Sequence, residues 1–348
     1  MVFVLLGTCE EKSFNKSKNY SRSTSEDKGA AKINYLLAFL VAFIIVYILI
    51  PPLSRLAVKI DFVDKPTQRK VHKEPVPLLA GVAIFIGFNA AYFGFAREWN
   101  TESLAIFAAS LLILSIGIVD DWYKTHGKDF PALPKLIVQV AAAIIVYKAG
   151  IVFTGFYNPL MGEHVVLPQW MQCILSILWI FGVTTVINFS DGLDGLAGGL
   201  STISAITLFT VAAAKAQTTS AMMAIILVGV GLGYLRYNKP PAKIYMGDAG
   251  ATFLGFMLGI IALDGAFKQA TVLSLMVPIL ALGVPIFDNL FVVIKRFKEG
   301  KPVYKADRSQ IHYRLLSKGL NPKQVVAVLC LINVCFSLTS IILLLLDK

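Results

Sequence analysis

Ten stretches of the chain are apolar almost without interruption: 33–50, 78–96, 103–119, 134–149, 169–187, 197–214, 220–235, 251–267, 271–294 and 323–346. A helix needs about 20 mostly apolar residues to cross a bilayer, within a range of about 17 to 25. Each stretch therefore predicts a membrane helix, and Pro278 and Pro285 predict a kink in the ninth. The expected fold is all-α, a polytopic membrane bundle of about ten transmembrane helices. Residues 1–32 break the pattern. Their run "EEKSFNKSKNYSRSTSEDKG" is polar and low in complexity, so a disordered tail is expected there. Residues 33–348 then form a single membrane-embedded domain. The leading "MVFVLLGTC" is too short for a signal-peptide core and lacks a basic n-region.

Composition agrees: 56% of residues are hydrophobic and 15% charged, against roughly 25% charged in soluble domains. The net charge of +11 does not imply nucleic acid, because no basic segment carries interleaved aromatics. It follows the positive-inside rule instead. Loops after the odd-numbered spans hold 21 Lys and Arg, against five on the other side, which places the odd loops in the cytoplasm. The N-terminal tail, with six basic residues, falls on the outer side and conflicts with that bias. The four cysteines show no paired metal-ligand spacing.

The acids then carry the chemistry. Asp120 and Asp121 ("GIVDDWYK"), Asp191 and Asp194 ("INFSDGLDGLAGGL"), Asp248 ("IYMGDAG") and Asp288 ("PIFDNLF") all fall at or just beyond cytoplasmic helix ends. Asn188, Asp191 and Asp194 recur every three residues, on one face if the stretch is helical. One acid would suffice for helix capping; here there are two, plus Asn188. Asp120 and Asp121 close the third span, where carboxylates oppose the helix macrodipole and raise each other's pKa. They require a cation, either Lys124 and Lys128 or a bound metal. Converging oxygen ligands suit Mg²⁺, which takes one or two carboxylates plus substrate phosphates. Lys70 and His72 in the 61 loop, and Arg308, His312 and Arg314 in the 305 loop, are candidate phosphate holders. From residues alone, this is a membrane protein with a cytoplasmic, metal-dependent site for a phosphate-bearing substrate.

The segments "VDKPTQRKVHKEPVP", "VDDWYK", "NFSDGLDGLAGGLS", "YMGDAG" and "DRSQIHYRLL" resemble, in content and order, the polyprenyl-phosphate N-acetylhexosamine-1-phosphate transferases. The last is more similar to the branch that initiates teichoic acid or other surface glycans than to the branch making the first lipid intermediate of peptidoglycan. The resemblance implies transfer of N-acetylhexosamine-1-phosphate, most simply GlcNAc-1-phosphate, from a UDP-sugar to undecaprenyl phosphate, releasing UMP. It also implies Mg²⁺, with Mn²⁺ as a substitute, and admits a homodimer. Carried over by residue, Asp248 and Asn188 are metal ligands, and Asp120 and Asp121 lie nearest the lipid phosphate as base or positioning groups. Asp191 orients the metal site or the diphosphate. Asp194 reads uracil, Tyr245 stacks on the base, and Arg308, His312 and Arg314 grip the sugar-phosphate end. Gln310 and Tyr313 stand where the family pattern has histidines, and Glu74 and "Leu79-Ala80-Gly81" depart from its early loop.

Two other classes compete. A secondary transporter would hold its coupling acids near the bilayer midplane, where only Asp264 and Asp288 are candidates. An aspartate-rich intramembrane prenyltransferase would want Asp-x-x-x-Asp motifs, and "DGLD" has the wrong spacing.

Overall fold

The computed structural model describes residues 32–66, 74–95, 99–158, 162–266, 275–300 and 309–346. The tail expected over residues 1–32 thus lies, except for Lys32, outside the described residues, as do Lys70, His72 and Arg308. The chain runs α1 (Lys32–Lys59), β1 (Val63–Asp64), β2 (Val76–Pro77), α2 (Ala80–Phe95), α3 (Thr101–Thr125), α4 (Ala132–Lys148), β3 (Gly155–Asn158) and β4 (Glu163–Val166). It continues through α5 (Gln169–Phe189), α6 (Leu196–Ala214), α7 (Thr218–Asn238), α8 (Gly247–Ile261), a π-turn (Ala262–Ala266), α9 (Met276–Ala281), α10 (Gly283–Lys298), α11 (Ile311–Ser317) and α12 (Pro322–Leu346). Strands β1 and β2, and β3 and β4, form two short antiparallel ladders. Among the described residues, seven helices are long and apolar enough to cross a membrane: α1, α3, α5, α6, α7, α8 with its π-turn, and α12. The protein is a multi-pass membrane protein.

The apolar stretches mark the helices well, and three differences have backbone causes. The first span was expected to stop at Ile50, but α1 runs on through Pro51 and Pro52 to Lys59. Proline lacks the N–H that would bond the carbonyl four residues back, which leaves the Tyr47 carbonyl without its helical donor. The Tyr237 hydroxyl of α7 donates to that oxygen at 3.1 Å. The third span was expected to end at Val119, but α3 continues to Thr125. Asp120 and Asp121 therefore lie inside the helix, one turn from its end. Its start is closed by a capping box between Asn100 and Ser103.

The ninth span is broken, not kinked. Helix α9 ends at Ala281, and α10 starts at Gly283. Pro285 cannot donate to the Ala281 carbonyl, and the Ser204 hydroxyl of α6 donates to it at 2.6 Å. The freed Val284 N–H donates to Asn333 Oδ1 of α12 at 3.2 Å, and the Asn333 amide donates back to Ser204 Oγ at 3.4 Å. The break is thus stitched by side chains from two neighbouring helices, which is how an apolar setting tolerates interrupted backbone.

Helix α8 forms the axis of the bundle. Every described residue from Gly247 to Ile261 but one is buried, the exception being Asp248, and the helix packs against α2, α3, α5, α6 and α7. Lipid supplies no hydrophobic force between helices, so close contact must come from small residues. Gly117 of α3 allows this approach: a methyl group there would sit 2.3 Å from Ala249 Cα. Gly255 does the same at Thr184 Cα, 2.8 Å away.

Asn333→Leu should strip the broken helix of its amide acceptor and lower stability by about 1–2 kcal/mol. Thermal unfolding in detergent would check this, with lipid-facing Leu331→Ala as a control expected to change the midpoint little.

Candidate active site

Helices α3, α5 and α7 end, and α4, α6 and α8 begin, at the same end of the bundle, and their polar residues meet there. Asp121 is 1% exposed. Its Oδ1 accepts from the Asp248 N–H at 2.8 Å and its Oδ2 from the Ala249 N–H at 3.0 Å. Both oxygens therefore cap the first turn of α8, where free amides and the positive end of the macrodipole favour an anion. Gly247 is needed at the joint: its φ is +64°, and a Cβ there would meet the Asp121 carboxylate at 2.2 Å.

Asp120 and Asp248 share two cations. Lys135 Nζ lies 2.7 Å from Asp120 Oδ2 and also pairs with Asp248 Oδ2. Lys124 Nζ lies 2.5 Å from Asp248 Oδ1 and 3.4 Å from Asp120 Oδ2. The requirement for a compensating cation is thus met by Lys124, as expected, and by Lys135. Lys128 forms no described ion pair here. Lys135 was not singled out from the sequence, although a lone lysine in the first turn of an apolar helix opposes that helix's dipole and signals a nearby anion.

Asn188 is the last polar residue of α5, and its Nδ2 faces Asp248 Oδ2 at 3.4 Å. Among the described residues, no three His, Cys, Asp or Glu side chains gather to enclose a metal ion. One carboxylate, from Asp248, with the Asn188 amide beside it is still a fitting donor set for Mg²⁺. That ion favours oxygen ligands and keeps several positions for water and phosphate.

The glycine-rich turn after α5 holds the other acids. Asp191 is exposed and its carboxylate has no hydrogen-bond partner among the described residues. Crowding by protein, then repulsion from Asp248, raise its pKa to about 7, with Lys124 opposing. The side chain still opens to solvent, and water there works against that shift. Asp194 Oδ2 accepts from the Ala242 N–H at 2.9 Å and also bonds the Tyr245 side chain. Burial, then the Asp194 charge, raise the Tyr245 phenol above its usual range. The Tyr245 backbone is held in turn by Pro77, whose carbonyl accepts its N–H at 2.8 Å. Asn238, also missed from the sequence, ties these loops together: its Oδ1 accepts from Gly195 N–H at 2.8 Å and its Nδ2 donates to the Ile244 carbonyl at 2.9 Å.

His312 reaches this turn from α11. It is 1% exposed, and its ring lies so close to Gly192 that a Cβ there would sit 2.1 Å from Nε2. Nε2 is buried and has no partner among the described residues. Burial lowers the His312 pKa to about 4, so the ring is neutral near pH 7. Arg314 stacks its guanidinium 4.2 Å above the Phe291 ring and is exposed. Asp264 lies at the far end of α8, bonded to Ser220 at 2.5 Å, apart from this cluster. The acids thus gather at helix ends, not at mid-bundle as a transporter would need.

Two outcomes follow. Asp121→Ala should lower stability by about 1–3 kcal/mol because it orphans two buried N–H groups, read as a drop in the thermal midpoint, whereas Asp191→Ala should leave the midpoint nearly unchanged. For His312, the unfolded chain binds a proton below its ordinary pKa and the folded chain does not. Stability should therefore fall as pH drops from about 6.5 toward about 4. A pH series of thermal midpoints should be flatter over that window in His312→Asn.

The sequence profile of glycosyl transferase family 4 matches residues 103–266, the segment from α3 to the π-turn that supplies most of this cluster. The chain is similar to the probable undecaprenyl-phosphate N-acetylglucosaminyl 1-phosphate transferase of Bacillus subtilis, at 38% identity over 85% of this chain and 81% of that protein. It is also similar to the decaprenyl-phosphate N-acetylglucosaminephosphotransferase of Mycobacterium tuberculosis, 31% identical over 80% of this chain and 75% of the relative. The undecaprenyl-phosphate alpha-N-acetylglucosaminyl 1-phosphate transferase of Escherichia coli is 24% identical over 80% and 75%. With the acid cluster on these helices and relatives aligned along most of its length, the chain belongs to glycosyl transferase family 4, the polyprenyl-phosphate N-acetylhexosamine-1-phosphate transferases.

Proposed function

We propose that this protein transfers GlcNAc-1-phosphate from UDP-GlcNAc to undecaprenyl phosphate at the cytoplasmic face of the cell membrane. The products are the lipid-diphospho-sugar and UMP, and the reaction initiates a teichoic acid-like surface glycan. The observation that carries this reading is the meeting of Asp120, Asp121, Asn188, Asp191 and Asp248 with Lys124 and Lys135 where membrane helices end. A lipid phosphate is confined to that depth, and a soluble nucleotide can reach it. The names of the relatives support the substrates.

An oxygen of the lipid phosphate attacks the phosphorus that bears the sugar. The bond from that phosphorus to the bridging oxygen breaks, and UMP leaves with the electron pair. Asp248 and Asn188 would hold Mg²⁺, which when bound offsets charge on the diphosphate. Asp121 keeps Asp248 in place through its amide. Asp120 is the acid on the lipid-phosphate side, and Lys124 and Lys135 neutralise the anions brought together there. Asp191 faces the diphosphate from the glycine-rich turn. Tyr245 offers an aromatic face to uracil, with Asp194 beside it. Arg314 lies toward the sugar-phosphate end.

UMP release by purified protein should require undecaprenyl phosphate and UDP-GlcNAc and should stop with a chelator. Asp248→Asn should lower turnover by on the order of 100-fold, while Asp264→Asn, at the other end of α8, should change it little. Near-normal turnover in Asp248→Asn would remove the metal assignment. Absence of lipid-dependent UMP release would remove the whole reading.

A further inference from the structure

Helix α11 is seven residues long, yet its N-terminal end is bonded to two other helices and packed against a third part of the molecule. Ile311 N–H donates to Asp288 Oδ1 of α10 at 2.8 Å. Gln310 Nε2 donates to the Phe189 carbonyl at 3.0 Å, one residue past Asn188 at the end of α5. His312, between them and Arg314, presses its buried ring onto Gly192. Arg314 covers Phe291 on the same side of α10 as Asp288. The glycine-rich turn that bears Asp191 and Asp194 therefore rests on a ring whose place is set by α11, and α11 is anchored by two polar bonds.

Asp288 has no part in the transfer chemistry above, although the sequence groups it with the acids at helix ends. Its described hydrogen bond runs to α11, away from Asp248 and the two lysines. We propose that Asp288 is a positioning residue for the transfer: it anchors the first turn of α11, with Gln310 as second anchor, so that His312 stays wedged under Gly192 and the Asp191–Asp194 turn keeps its shape. The wedge works by volume and needs no charge on the ring. The anchor works through an acceptor oxygen, so an amide oxygen serves as well as a carboxylate. Gln310, by contrast, must donate, and a carboxylate or alkyl group there cannot. This role rests on the transfer reaction proposed above, since its kinetic effect is read on the nucleotide-sugar.

Two readouts test it in the full-length protein in detergent. The first is modification of His312 by diethylpyrocarbonate, followed on its peptide by mass spectrometry. The ring should be protected in the native protein and in Asp288→Asn, and should react several-fold faster in Asp288→Ala and Gln310→Leu. The second is kinetic: Asp288→Ala should raise KM for UDP-GlcNAc by on the order of tenfold and leave KM for undecaprenyl phosphate near its native value, and Asp288→Asn should restore the donor KM. Native protection of His312 in Asp288→Ala would overturn the proposal. So would equal loss in Asp288→Asn and Asp288→Ala, which would make the charge itself the requirement. If Asp288→Ala fails to fold, Gln310→Leu carries the same two readouts, and an unchanged His312 and donor KM there would overturn the proposal as well. Native protein that releases no UMP would sink the proposed reaction alone, because protection of His312 reports on the wedge without any turnover.

Discussion

The two hydrogen bonds that the backbone N–H groups of Asp248 and Ala249 donate to the Asp121 carboxylate hold the site together. A carboxylate near the C-terminal end of its own helix is in the wrong field. Asp121 escapes that field by lying at the N-terminal end of another helix, where two free N–H groups need an acceptor. One side chain thereby solves a problem for α3 and a problem for α8. The joint also brings Asp248 within reach of Lys124, Lys135 and Asn188. The lysine-paired acids at this end of the bundle are thus placed by a junction of side chain to backbone.

The same economy recurs deeper in the bundle. Prolines in α1 and in the first turn of α10 strand carbonyl groups, and hydroxyls from Tyr237 and Ser204 answer them. An apolar surrounding offers no water to do so. Sequence departures that look like breaks are therefore half of a pair, with the other half on a neighbouring helix.

Much of this was legible in the chain. Apolar length located α5, α6 and α12 to within two residues at each end, because continuous hydrophobicity has no other use at that length. The acids at helix ends were legible because charge is excluded from the apolar interior. Asp120, Asp121, Asn188 and Asp248 do come together, and Asp191 and Asp194 join them from the glycine-rich turn. Less legible was the direction in which each carboxylate points. Asp121 and Asp120 are adjacent, yet one caps a helix while the other pairs with lysines, a split set by a helical rotation of about 100° per residue. Asn238 was hidden because it looks ordinary in its own segment, and only the fold makes it a bridge; Lys135 stood out in the first turn of an apolar helix, but its partners Asp120 and Asp248 are set by the fold. His312 read as a phosphate holder among basic neighbours. Its burial against Gly192 follows from a contact across more than a hundred residues that no local pattern encodes.

Helix α8 presents no exposed apolar residue, while α1 and α12 present many. The outer helices meet the acyl chains and take up whatever tilt a thicker or more fluid bilayer imposes. The inner shaft meets only protein. Asp248 at its tip therefore takes its place from protein neighbours alone and not from direct contact with the acyl chains.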